Sequence, residues 1–145
     1  MIRVEYPYAI VLSQACDLTQ DFSSRQNGKS QLPDVLFCQL PTADALKAGC
    51  GGSDIWKRVK QNKDERYHFL EKVPIDSDAA GEGLPEMGID FKRYFTLPTE
   101  EVYRWIELGQ TKRRAVLCSP YLEHLSSRFA YFMSRVGLPR DHVSE

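Results

Sequence analysis

The chain has 145 residues, with 42% hydrophobic, 27% charged and 11% aromatic side chains, enough for one folded domain and too apolar for a disordered one. A formal net charge of −1 excludes a global field drawing the protein to nucleic acid or membrane, so such a partner must be read by a local patch. No apolar run reaches the ~18–20 residues that span a bilayer, and Cys16, Cys38, Cys50 and Cys118 lack the paired spacing of a zinc site; the expectation is a cytoplasmic protein with reduced thiols, no metal and no cofactor.

In chain order, "MIRVEYPYAIVLSQ" reads as one short strand, broken at Pro7, then a buried strand over 9–13, with no cleavable leader. Segment 19–33, rich in Ser, Gln, Asn and Gly, predicts a long surface loop. "DVLFCQL" (34–40) is a second buried strand. Thr42 then caps a short helix with Asp44 in its first turn and Gly49 as its stop. "GCGGSD" (49–54) lacks the lysine and spacing of a P-loop and reads as a flexible connection. A helix over 53–64 is capped by Ser53, with Ile55, Trp56 and Val59 inward and Lys57, Arg58 and Lys60 solvated.

Residues 65–73 form a strand that puts Tyr67, Phe69 and Glu71 on one face and Arg66, His68 and Leu70 on the other. An acidic, Gly- and Pro-punctuated loop (74–86) follows, then a strand over 88–97 and a helix capped by Thr99 that ends at Gly109. "RRAVLC" (113–118) is a short strand or extended lead-in. The last helix has Ser119 as cap, Pro120 at its first position, and Gly137 and Pro139 as its stop. Leu122, Leu125, Phe129, Phe132, Met133 and Val136 form its apolar stripe, a core-packing face.

The strands "PYAIVLSQ" and "VLFCQLPT", the later "GIDFKRYFTLPTEEV" and the closing "RAVLCSPYLEHL…VGLP" together resemble the MazF/PemK/Kid toxin family. That resemblance implies a small SH3-like barrel that cleaves RNA without metal, commonly as a dimer. It places Thr42 at the family's turn hydroxyl and Pro7 where the family has an arginine. A substitute charge is then needed. Arg66 and His68, two residues apart on one strand face, provide a permanent cation and a group that titrates near neutrality.

Other residues carry chemistry of their own. In "SQACDL", Ser13, Gln14, Cys16 and Asp17 stand at the mouth of a strand. They line a ligand site, or satisfy the loop backbone, or, with His68 or His124 as base, make Cys16 a nucleophile. Lys57, Arg58, Lys60, Lys63 and Arg66 form one basic run, and Lys112, Arg113 and Arg114 another. His124, Arg128, Tyr131 and Arg135 make a polar ridge on the last helix, while 74–110 is acidic. Such basic and aromatic neighbours suit single-stranded nucleic acid or a plain solvated surface.

The reading is therefore a single α+β domain over 1–145: a small SH3-like, strongly curved antiparallel β-barrel with short helices and a C-terminal helix. Its expected role is single-stranded RNA binding, as a metal-independent endoribonuclease of a bacterial toxin or defence system. Thr42, Arg66 and His68 are the expected catalytic residues, and Ser13, Gln14, Cys16, Asp17, Arg113, Arg114 and Arg128 the binding ones. Expected partners are RNA, a protein partner or a homodimer, and no membrane. The alternatives are a non-catalytic interaction module within a larger bacterial assembly and a cysteine-dependent enzyme.

Overall fold

A computed structural model describes residues 7–135. The elements run β1 (Ala9–Val11), α1 (Ala15–Arg25), β2 (Asp34–Gln39), α2 (Ala43–Gly49), α3 (Ser53–Lys60), β3 (Tyr67–Leu70), a 3₁₀ turn (Ile75–Ser77), β4 (Met87–Asp90), β5 (Tyr94–Pro98), α4 (Thr99–Glu107) and α5 (Tyr121–Ser134). The strands form two small antiparallel sheets, β1-β2-β5 and β3-β4. The expected closed barrel is absent among the described residues, and the fold is an open α+β arrangement.

The physical reason lies at residues 91–93. The segment 88–97, expected as one strand, is two strands in different sheets. Arg93 N–H donates to the Asp90 carbonyl at 2.8 Å, and the Asp90 carboxylate accepts from Lys92 N–H at 3.1 Å, so the chain turns there. The fully buried Phe91 ring anchors that turn. Before it, β4 pairs with β3 (His68 opposite Ile89); after it, β5 pairs with β2 (Phe37 opposite Phe95). The sheets stay in touch because the chain leaving β2 runs beside β4: Gly88 N–H donates to the Pro41 carbonyl and Ala43 N–H to that of Glu86. β4 thus lies between β3 and segment 41–43, and among the described residues β3 pairs with neither β1 nor β5.

Two apolar clusters fill the fold. Tyr67 and Phe69, on one face of β3, pack with Ala43 and Leu46 of α2, with Cys50 just past its end and with Val59 of α3. On the other face, Ile89, Phe91 and Cys38 pack under Leu125 and Phe132 of α5, with Phe129 and Leu70 alongside. The predicted stripe of α5 is in part this core face; Leu122 and Met133 remain exposed, and Val136, Gly137 and Pro139 lie outside the described residues. Thr42 caps α2 as expected, its hydroxyl accepting from Ala45 N–H at 3.3 Å. Three other caps differ. Ser53 and Thr99 are the first helical residues, behind Gly52 and Pro98, and the Ser119 hydroxyl donates to the Glu123 carboxylate.

Half of the expected loop 19–33 is helix α1. An apolar stripe does not hold it, since Phe22 is 57% exposed. Its anchor is Asp21, whose fully buried carboxylate accepts from Arg25 Nε (2.5 Å), the Tyr103 hydroxyl (3.2 Å) and the amides of Gln31 (2.8 Å) and Leu32 (2.7 Å). One acid thereby ties α1 to α4 and to the returning chain.

A second buried acid, Asp78, organises the loop 74–86. It accepts from the amides of Ala80, Glu82 and Gly83 and receives both arms of Arg114 at 2.7 Å each. Residues 113–118 form no strand; this fork and the Ala79 N–H to Arg114 carbonyl bond fix the segment. Arg114→Lys keeps the charge and loses the planar fork. Limited proteolysis between residues 109 and 120 is expected to run roughly tenfold faster in that variant, with the fold retained.

Candidate functional site

The segment carrying Arg66 and His68 is the place to test the expected chemistry. His68 lies within β3 and α5 covers it; Arg66 precedes the strand, and its side chain turns to the opposite face, where Asp90 and Tyr67 lie. His68 is 4% exposed. Its Nδ1 lies 2.6 Å from an Arg128 guanidinium nitrogen, which can only donate, so the imidazole is the neutral tautomer with its proton on Nε2. Burial first, then the Arg128 charge and His124, push the His68 pKa down to about 3. Arg128 also donates to the carbonyls of Tyr67 and Asp64 and lies over the Phe91 ring. Burial lowers its own pKa, with Asp64 opposing. Arg128, expected on a solvated ridge, is an internal clamp between α5 and β3.

Arg66 is equally committed. Its Nε and one terminal nitrogen donate to the two Asp90 oxygens at 2.9 and 2.8 Å, and its guanidinium lies 4.9 Å from the Tyr67 ring centre. The Asp90 hydrogen bond raises the Arg66 pKa. Burial works to raise that of Asp90, but Arg66 and the Lys92 amide outweigh it and hold the carboxyl low. Thr42 faces Met87 on the far side of β4 from β3, its hydroxyl spent on the α2 cap. The structure therefore does not gather the three: His68 lies under α5, Arg66 lies on the opposite face with Asp90, and Thr42 is across β4. His68 holds no proton to give as an acid near neutrality, and its Nδ1 is taken by Arg128.

The residues expected to bind divide in two. Ser13 accepts from Leu36 N–H at 2.8 Å and pins the end of β1 to β2; Arg114 and Arg128 are the internal clamps described above. Gln14, Cys16, Asp17 and Arg113 are exposed. Gln14 holds the cap position of α1 without a side-chain cap bond, and the Cys16 thiol lies 3.5 Å from the Gln14 side-chain oxygen and 3.9 Å from Asp17. Neither partner is a base that could make a thiolate. Among the described residues no group of three or more His, Cys, Asp or Glu side chains gathers as a metal would need.

What stays open to a ligand is the outer face of α3 and the turn after it. Lys57, Arg58, Lys60 and Lys63 are exposed there. Trp56 is half-buried with its edge on Phe69, centroids 6.2 Å apart, and Lys60 Nζ lies 5.7 Å from the Phe69 centroid. Of the nearby acids, Asp54 is exposed in the first turn of α3, and two others are engaged. Asp64 accepts from the amides of Arg66 and Tyr67 and meets Arg58 only at 3.9 Å, and Glu65 pairs with Arg135 just past α5. The α3 macrodipole also favours cations at this end of the helix.

Sequence reasoning missed the acids that organise this surface: Asp21, Asp78 and Asp90 are buried and paired, and nothing in their local pattern separates them from solvated loop acids. No helix among the described residues is long and apolar enough to cross a membrane. Comparison with known proteins gives no match of this chain to a family model, a curated protein or a solved structure.

Proposed function

We propose that this domain binds single-stranded RNA through α3 and the turn leading into β3, and that it binds without cleaving. The observation that carries the reading is the run of exposed Lys57, Arg58, Lys60 and Lys63 beside the half-buried Trp56, where of the nearby acids Glu65 pairs with Arg135 and Asp64 accepts from backbone amides and meets Arg58 only at 3.9 Å. Phosphates need cations, and the partly exposed Trp56 ring beside them is an aromatic surface on which a base can stack. Cleavage needs a positioned acid or base, and the nominated groups are each engaged in holding the fold.

The test is titration of a fluorescent 12-mer of uridine across a salt series. Contact with three or four cations predicts a log–log salt slope of roughly −2 to −3. The Lys57→Glu/Lys60→Glu double variant is expected to weaken binding at least tenfold, with the RNA intact in every sample. Binding indifferent to salt, or unchanged in the double variant, rejects the proposal.

A second reading, a protein-interaction module, is favoured by the outer surface of α5, where Tyr121 is 66% exposed, Tyr131 59% and Met133 48%.

A further inference from the structure

The two sheets treat their edges differently. On the outer edge of β3 the outward-pointing groups of residues 67 and 69 are closed by side chains. Phe69 N–H donates to Asn62 Oδ1 (2.6 Å), and Asn62 Nδ2 donates back to the Phe69 carbonyl (3.2 Å). Tyr67 N–H reaches Asp64, and Arg128 covers the Tyr67 carbonyl. Asn62 adopts a left-handed backbone, φ 54°, to make this bracket.

The outer edge of β5 has no such cover. Arg93, Phe95, Leu97 and Thr99 turn their backbone groups toward β2, as the Gln39 N–H to Arg93 carbonyl and Thr99 N–H to Pro33 carbonyl bonds show. Tyr94 and Thr96 therefore direct N–H and C=O outward, and no described residue bonds to either pair. Their side chains are exposed as well, Tyr94 by 48%. No bulge or inward-pointing charge blunts this edge, the devices by which an isolated monomer protects itself. Only Pro98, at the strand's end, lacks a donor.

We propose that β5 pairs antiparallel with β5 of a second copy of this chain, about a two-fold axis at Phe95, giving a six-stranded sheet ordered β1-β2-β5-β5-β2-β1. In this register Tyr94 N–H donates to the Thr96 carbonyl of the other copy, and the Tyr94 carbonyl accepts from that copy's Thr96 N–H. The axis repeats both bonds, making four. Centring on Thr96 instead requires an N–H from Pro98, which proline lacks. Charge points to a second copy of the chain. Lys92 and Arg93 are exposed at the start of β5, and Glu100, 81% exposed beside Arg25, stands just past its end with Glu101, which pairs with Arg104. Antiparallel self-pairing lays the basic end of one copy beside the acidic end of the other, twice.

The test uses the full chain without RNA, so its outcome is separate from that of the RNA reading. Sedimentation equilibrium over a concentration series is expected to give twice the 16.6 kDa chain mass. Amide exchange at Tyr94 and Thr96 is expected to slow as concentration rises, while Phe69 stays unaffected. Lys92→Glu/Arg93→Glu is expected to weaken self-association at least tenfold. Mixing it with Glu100→Lys/Glu101→Lys is expected to restore a dimer of one copy of each. A monomer at every concentration, a dimer whose exchange protection falls elsewhere, or charge variants that do not rescue each other overturns the proposal; exchange in the unaltered protein decides even if a variant misfolds.

Discussion

Asp21→Ala is expected to cost about 3 kcal/mol or more of folding stability, a loss typical of breaking a buried ion pair from one side. The substitution strands several groups at once: Arg25, only 17% exposed, loses its main partner, and the amides of Gln31 and Leu32 and the Tyr103 hydroxyl lose their acceptor. A domain of this size holds roughly 5–15 kcal/mol in total, so urea denaturation at neutral pH will show the effect as a large shift in midpoint. Tyr103→Phe removes one of the four bonds and is expected to cost about 1 kcal/mol. If Asp21→Ala costs no more than Tyr103→Phe, the acid is not the anchor of α1. Burial acts to raise the Asp21 pKa, but the Leu32 and Gln31 amides and Arg25 outweigh it and lower it to about 2. The stabilisation is therefore complete above the ordinary carboxylate value and fades as pH falls toward 2.

The second large effect lies at higher pH. His68 is neutral in the folded protein down to about pH 3, whereas an unfolded histidine takes up its proton near 6.5. A depressed histidine pKa means that its contribution is whole above 6.5 and declines as pH falls from there toward 3. Each pH unit in that window removes up to about 1.4 kcal/mol. Between pH 7 and 4.5 the loss amounts to about 2–3 kcal/mol, well before the lowered carboxyls of Asp21, Asp78 and Asp90 begin to protonate. The Arg128 guanidinium, a permanent cation, faces the ring beside the His124 imidazole, so a proton on His68 would meet a fixed like charge. Denaturation curves at pH 7.5, 5.5 and 4.5 measure the slope. His68→Gln keeps an acceptor for Arg128 and is expected to flatten it; an equal slope in both proteins removes His68 from the account.

How much of this was legible in the sequence depends on where each signal sits. The Thr42 cap, β2 and the β3 alternation are local patterns, and they appear where the residues place them. Helix α1 was hidden because a helix anchored by a buried carboxylate shows no apolar period, and its Ser, Gln and Asp residues read as loop. The barrel failed at Phe91: a turn that carries the chain from one sheet to another is invisible in a run of strand-forming residues. The expectation that Arg66 and His68 share one face fails: Arg66 forks onto Asp90, which stands opposite Tyr67, whereas His68 turns to the Ile89 face under α5. Their committed states depend on Asp90, 24 residues away, and Arg128, 60 away, and no local window contains either partner.

The Asn62 bracket has a further consequence for the protein in crowded surroundings. Because three side chains from different parts of the chain saturate the rim of β3, that hairpin offers no template on which foreign strands could stack. Runaway fibre growth from this side must first dislodge all three, so an assembly of this protein is free to stop at a finite number of chains.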